Sequence, residues 1–316
     1  MQHRPLGRTG LSIAPLVLGG NVFGWTADEK TSFSLLDAFV AGGLNAIDTA
    51  DVYSAWVPGH TGGESETILG KWFRQRPSNR DQVVLITKVG AKPGTAQRDL
   101  SAKWIAQAVE HSLRRLQTDR IDVYLSHWPD PDTPYEETLG AYDKLLKAGK
   151  VRAIGASNLD APQLEASFAA ARKHRLPRYD VLQPEYNLYD RSSFEGSLRE
   201  LTLRENIGVI TYFSLAKGFL SGKYRSEADL GKSIRGGGIK GYLNERGRRI
   251  LVALDEVAAE QGAKPAEVAL AWLIASPGVT APIASATTLE QMASLVNATR
   301  IALNPEQFRR LDEAGR

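Results

Sequence analysis

Four side chains whose chemistries complement one another lie at or just past the ends of three successive apolar runs of the 316-residue sequence. Asp48 ends Asn45-Ala46-Ile47-Asp48 and runs on to Tyr53, Lys88 ends the run Val83–Lys88, and His127 ends Ile121–His127 and leads into Trp128. Taken singly, most have an ordinary use: an aspartate caps a loop, and a tyrosine or histidine satisfies itself within a core. Lys88 is the exception, because an ammonium at the end of a buried strand must reach solvent or a carboxylate. Together the four make a proton-transfer device. A phenol titrates near about 10 and donates poorly at neutral pH unless a cation favours its phenolate. Lys88 supplies that cation, Asp48 holds it, and His127 hydrogen-bonds a substrate oxygen on which negative charge develops. The expected chemistry is protonation of an alkoxide by Tyr53.

Such a reaction needs an electron carrier. The sequence has no cysteine, and its five histidines show no metal-ligand spacing, so thiol and metal chemistry are not expected and the metal set is empty. A nicotinamide fits the remaining polar residues. Asn158 and Gln183 suit its carboxamide, Tyr212 suits its ring, and Ser214-Leu215-Ala216-Lys217-Gly218 suits close approach to a pyrophosphate.

Placing these residues around one site requires a particular scaffold. Eight short apolar runs without strict alternation read as strands buried on both faces: Leu16–Leu18, Asn45–Asp48, Val83–Lys88, Ile121–His127, Val151–Ser157, Val181–Gln183, Val209–Phe213 and Ala281–Ser285. Amphipathic stretches fall between them. Thr26 with Glu29 reads as a capping box for the first helix, and Thr133-Pro134-Tyr135-Glu136 as a cap followed by proline at the first helical position. The alternation predicts an α/β fold, one (β/α)8 TIM barrel spanning residues 1–316 with long βα loops; a doubly wound open sheet is the alternative. Leu6 to Ile13, around Gly7 and Gly10, predicts a short N-terminal β-hairpin across the barrel's N-terminal end.

Composition narrows the partners. A formal charge of +3 from 39 basic and 36 acidic residues is no basis for binding nucleic acid. Val268 to Leu289 is uncharged and long, but Pro277-Gly278 and Pro282 interrupt it, so a buried helix, a turn and a short strand are expected rather than a membrane span. Met1-Gln2-His3-Arg4-Pro5 opens no apolar signal run, which points to the cytoplasm. Gly236-Gly237-Gly238-Ile239-Lys240-Gly241 matches G-x-G-x-x-G but follows no strand, so it reads as a flexible flap.

In order along the chain, Asn45-Ala46-Ile47-Asp48-Thr49-Ala50-Asp51-Val52-Tyr53, Leu85-Ile86-Thr87-Lys88, Ser126-His127-Trp128-Pro129-Asp130, Gly155-Ala156-Ser157-Asn158, Gln183-Pro184-Glu185-Tyr186-Asn187 and the Tyr212–Leu220 segment resemble the motifs of the aldo-keto reductase superfamily. The resemblance implies a barrel that binds NADP(H) across its strand ends, with NAD(H) as the alternative, and reduces aldehyde or ketone carbonyls reversibly. Tyr53 would be the general acid, with Lys88 and Asp48 lowering its pKa and His127 positioning the carbonyl. It further implies that Ser157 joins Asn158 and Gln183 at the carboxamide, and that Ser285, Thr287 and Gln291 grip the adenosine end. The sequence departs from many relatives, which place basic side chains near Thr287 and Gln291 and an asparagine where Leu295 aligns. Lys217, Lys223 or Arg235, from the long loop 217–242, would then supply the charge for a 2′-phosphate.

Trp25, Trp56 and Trp128 fall in the first, second and fourth βα loops and are expected to wall the substrate pocket. With no arginine converging there, the expected substrate is a small neutral aldehyde or ketone. Two other functions use the same residues: a Schiff-base lyase with Lys88 as nucleophile, and a nucleotide-sensing subunit with vestigial turnover. The sequence leaves the oligomeric state open.

Overall fold

The structure is a computed structural model, which describes residues 1–92, 95 and 97–316. Eight parallel strands, β3 (Val17–Gly19), β4 (Ala46–Asp48), β5 (Val84–Val89), β6 (Ile121–Ser126), β7 (Val151–Ser157), β8 (Val181–Gln183), β9 (Gly208–Thr211) and β10 (Ala281–Ala284), close into a barrel in chain order, with β10 pairing back onto β3. Helices lie between consecutive strands, so this is a (β/α)8 TIM barrel. The strands are buried along nearly their whole length, as expected of strands covered by side chains inside and helices outside.

Two apolar clusters follow from that layering. One fills the barrel, with Val17, Ala46, Ile86, Val123, Val181 and Ile210 among its members. The other, much larger, packs the outward strand residues against the helices. The antiparallel pair β1 (Arg4–Pro5) and β2 (Ser12–Ile13) adds Leu6, Leu11 and Ile13 to the inner cluster and so plugs the barrel. The plug sits at the strands' N-terminal ends: a Cβ on Gly7 would collide with the backbone at Asp180 and Gly208, just before β8 and at the start of β9.

Local expectations met different fates. The Val268–Leu289 stretch is a helix (Pro265–Ala275), a turn and β10, and no helix among the described residues is long and apolar enough to cross a membrane. Thr26 does not cap the first helix (Glu29–Ala41); Asp28 does, accepting from the Thr31 N–H at 2.8 Å. Thr133 likewise donates its hydroxyl to Asp130 at 2.7 Å, and Pro134 occupies the cap of helix Tyr135–Lys147 without a side-chain bond. Tyr212 and Phe213 lie beyond β9, which ends at Thr211. Loop 217–242 is wound into consecutive 3₁₀ turns, including Glu227–Lys232, Gly236–Gly238 and Lys240–Tyr242. Gly236 is buried with the Leu230 carbonyl where a Cβ would go, whereas Gly237 and Gly238 are exposed.

Candidate active site

Strand alternation places the reactive residues. Side chains two apart on a strand share a face. Ala46, Val84, Ile86, Val123, Leu125 and Val181 point into the barrel. The same register continued upward turns Asp48, Lys88, His127, Gln183 and Tyr212 inward at the C-terminal mouth, where barrel enzymes carry their chemistry. Most of these residues line a single cleft of about 1410 Å³, larger than an ordinary small-molecule pocket.

At its floor the Lys88 ammonium is wholly buried and uses its three protons on three acceptors: Asp48 Oδ2 at 2.8 Å, the Thr49 carbonyl at 2.8 Å and Tyr53 Oη at 2.7 Å. Tyr53 in turn donates to Asp48 Oδ2 over a longer 3.1 Å. Gln183 Nε2 holds the other Asp48 oxygen at 2.8 Å. Burial, and after it the charge of Asp48, pushes the Tyr53 phenol well above its usual value. This reverses the expectation of an acidified phenol, because the same carboxylate that holds Lys88 also faces Tyr53. Burial draws the Lys88 ammonium down, and Asp48 opposes it. Burial and the nearby Lys88 hold His127 well below the usual imidazole range, so its ring is neutral. That ring stacks on Trp128 at 3.6 Å between centroids and meets Tyr53 edge-on at 6.0 Å.

The residues expected at a nicotinamide form a second network joined to the first. Tyr212 Oη donates to Asn158 Oδ1 at 2.7 Å, Asn158 Nδ2 donates to the His127 carbonyl at 2.9 Å, and Ser157 Oγ donates to the Gln183 carbonyl at 2.7 Å. Asn158 holds this position with a left-handed φ of 62°. At the other end of the cleft, Gln291 Oε1 accepts from the Thr287 N–H at 2.8 Å, and Ser285 Oγ donates to Asn21 Oδ1 at 2.6 Å. Ser214, Leu215, Lys217 and Gly218 line the cleft, whereas the Ala216 side chain is buried in the core. Sequence reading missed Asn21, Thr26, Leu270 and Ser294, which also line it. Asn21 alone carried a signal, a polar residue just past the end of a strand.

Trp56 stands at the rim, 48% exposed. It meets Tyr53 at 6.1 Å and Trp25 at 5.6 Å between centroids, but Trp25 itself, expected in the pocket wall, is not among the residues lining the cleft. Arg235 lies over Trp25 at 4.9 Å, on the reactive side of the cleft. Arg98 also lines the cleft, so the premise that no arginine converges on it does not hold.

The cleft fits a dinucleotide. Arg235 Nη2 is buried with no hydrogen-bond partner, burial lowers the guanidinium's pKa, and no carboxylate among the described residues pairs with it. Such a group calls for an anion. Also lining the cleft, the Lys217–Gly218 turn has left-handed φ of 58° and 104°, with the Gly218 amide donating to the Leu215 carbonyl at 2.8 Å.

A sequence model of the Aldo/keto reductase family matches residues 15–316. The chain belongs to the aldo/keto reductase family. It is 37% identical to a protein named uncharacterized oxidoreductase YrpG from Bacillus subtilis, over 99% of this chain and 95% of that one. It is 34% identical to aldo-keto reductase YhdN of the same organism, over 97% and 91%. A protein of Arabidopsis thaliana named probable voltage-gated potassium channel subunit beta is 32% identical over 95% and 92%. Family members are oxidoreductases that use nicotinamide cofactors, NAD(P)H.

Proposed function

We propose that this aldo/keto reductase is a cytoplasmic, NADPH-dependent carbonyl reductase that converts aldehydes or ketones to alcohols, reversibly, with Tyr53 as its general acid. The observation that carries the reading is the Lys88 ammonium, which commits its three protons to Asp48, Thr49 and Tyr53. Reduced nicotinamide supplies the hydride. Ser157, Asn158, Gln183 and Tyr212 would hold its ring and carboxamide, Ser214 to Gly218 with Arg235 its diphosphate, and Ser285, Thr287 and Gln291 its adenosine end. Lys217 and Lys223, both lining the cleft, favour the more anionic NADPH over NADH.

The chain's own residues manage the proton. Tyr53 Oη accepts from Lys88, so its own proton points away from the ammonium, held only by the 3.1 Å bond to Asp48. A substrate oxygen gaining negative charge above Tyr53 is a stronger acceptor than an already paired carboxylate, and the proton turns to it. Lys88 then stabilises the phenolate left behind. Neutral His127 donates a hydrogen bond to the same oxygen without competing as an acid.

The lyase alternative meets a steric objection, since the Lys88 amine is 0% exposed and has no free proton or open face toward a carbonyl carbon. A sensing subunit is the second reading, favoured by the similarity to the Arabidopsis protein named as a channel subunit. Titrating NADPH and NADH into the protein and then following cofactor absorbance with a panel of aldehydes and ketones decides between them. Turnover of at least one carbonyl is expected; tight cofactor binding with no turnover of any would replace the reductase with the sensor.

A further inference from the structure

The cleft has two halves of different character. The loops after β7 to β10 bring amides, hydroxyls and the Lys217–Gly218 turn. The loops after β4, β5 and β6 bring Tyr53, Trp56, Arg98, His127 and Trp128, so a substrate must lie among these. Beyond the Lys88 ion pair, the charged residues that these three loops bring to the cleft are Lys92 and Arg98, while Arg235 reaches the same side from the loop after β9. Lys92 is neutralised by Asp99 at 2.8 Å. Arg98 has no carboxylate within ion-pair reach among the described residues.

Arg98 is also held in place. Its backbone bridges that of Ala91, closing the base of the loop after β5. Nη1 donates to the Pro129 carbonyl at 3.4 Å, and the guanidinium carbon stands 6.0 Å from the Trp128 ring centroid. Trp128 itself stacks on His127 at 3.6 Å between ring centroids. Arg98 thus stands solvent-exposed at the rim, tethered to Pro129 and beside the Trp128 ring that also stacks on His127. A guanidinium on an aromatic face keeps its forked edge open to a planar oxyanion.

We infer that Arg98 is a specificity-determining residue that binds the carboxylate of the substrate, and that the preferred substrates are oxo-acids whose carboxylate is several bonds from the aldehyde or ketone. This rests on the carbonyl-reductase reading and replaces the neutral substrate expected from sequence. One guanidinium beside Trp128 matches a monoanion, whereas a phosphate dianion would call for a second cation.

A matched pair of probes tests it. 4-Carboxybenzaldehyde and 4-formylbenzamide have similar size and differ in charge, with the anionic group held away from the aldehyde by the ring. With NADPH, wild-type kcat/KM should favour the carboxylate by about threefold to fivefold, as one solvent-exposed charge pair provides. Arg98→Gln should abolish that preference through KM while leaving turnover of the amide within about twofold, and Arg98→Lys should keep part of it. Salt at about 0.5 M should erode the preference in the wild type. Equal or better use of the amide by the wild type, or a ratio unmoved by Arg98→Gln, would overturn the proposal while leaving the reductase intact. Turnover of neither aldehyde nor any other carbonyl would overturn the reductase reading, and this one with it.

Discussion

At the scale of single residues, the arrangement around Lys88 separates two jobs that the sequence suggested a single effect would do. Proximity of an ammonium was expected to make the phenol acidic, yet burial and Asp48 push Tyr53 well above its ordinary value. The acid therefore stays protonated across the physiological range, and the ammonium's contribution falls after proton transfer, when it faces phenolate. Tyr53→Phe should leave NADPH affinity unchanged and lower kcat by roughly 10²–10⁴; a variant within about tenfold of the parent would remove Tyr53 from the role. With the phenol shifted up and His127 shifted down, neither should change protonation between about pH 7 and 9, where Lys88, drawn down by burial, is the group of the catalytic four left to titrate. A Tyr53 or His127 ionisation inside that window, followed by NMR of the phenol and imidazole, would contradict the assignment. Asp51 offers a stability test. Both its oxygens are buried without hydrogen bonds, and burial followed by Glu66 raises its pKa well above the usual value. The folded chain keeps a proton that the unfolded chain loses near about 4, so this group's contribution is full below that pH and fades as pH rises through the folded pKa. Asparagine has no proton to lose. Asp51→Asn should raise the denaturation midpoint more at about pH 7.5 than at about pH 5, and an equal change at both would refute it. Three of the catalytic candidates were legible because each ends an apolar run, and Tyr53 because it follows one of them closely. Asp51 was not, since one acidic residue in a loop gives no sign of its own burial.

At the scale of elements, legibility followed the physics of burial. Strands covered on both faces are apolar throughout, and β7 and β8 match their expected spans. Helix starts were less secure because several cap-type residues stand close together: Thr26 and Asp28 both qualify locally. The turn through Phe23 to Ala27, bonded to Val22 and Gly24, leaves only Asp28 at the helix entrance. The short helix Pro77–Gln82 was invisible, having no apolar periodicity, although its Arg80 is buried against Asp122 at 2.9 Å and the Val83 carbonyl. Helix Glu64–Gln75 packs against Ala102–Leu116, and the contact depends on Gly70, where a Cβ would collide with the Arg115 carbonyl. Two effects compete in Gly70→Ala. Helix propensity favours alanine by about 1 kcal/mol, whereas a collision with backbone costs about 1–3 kcal/mol or more because neither helix can yield alone. The clash should win and lower the denaturation midpoint; an unchanged or raised midpoint would mean that the helices slide apart freely.

At the scale of the whole molecule, a near-neutral total conceals an uneven distribution. The formal charge is +3, but the cleft carries Lys92, Arg98, Lys217, Lys223 and Arg235, and its one lining carboxylate among the described residues, Asp48, is already paired with Lys88. Composition cannot report this, because the acidic residues that balance the count lie elsewhere, many in surface pairs such as Glu306 and Glu313 with Arg309. The cations divide by position. Arg235 was expected from sequence to serve a 2′-phosphate, yet it lies over Trp25, which touches Trp56, which touches Tyr53. That chain of contacts sets it near the reactive end, away from the Thr287 and Gln291 pair. Its unpartnered nitrogen should therefore meet charge common to NADPH and NADH. Arg235→Gln should weaken both cofactors by a similar factor, about tenfold or more, and flatten the dependence of binding on salt. Loss of NADPH affinity alone would return Arg235 to the 2′-phosphate, and no loss for either would leave its buried guanidinium without a ligand to explain it.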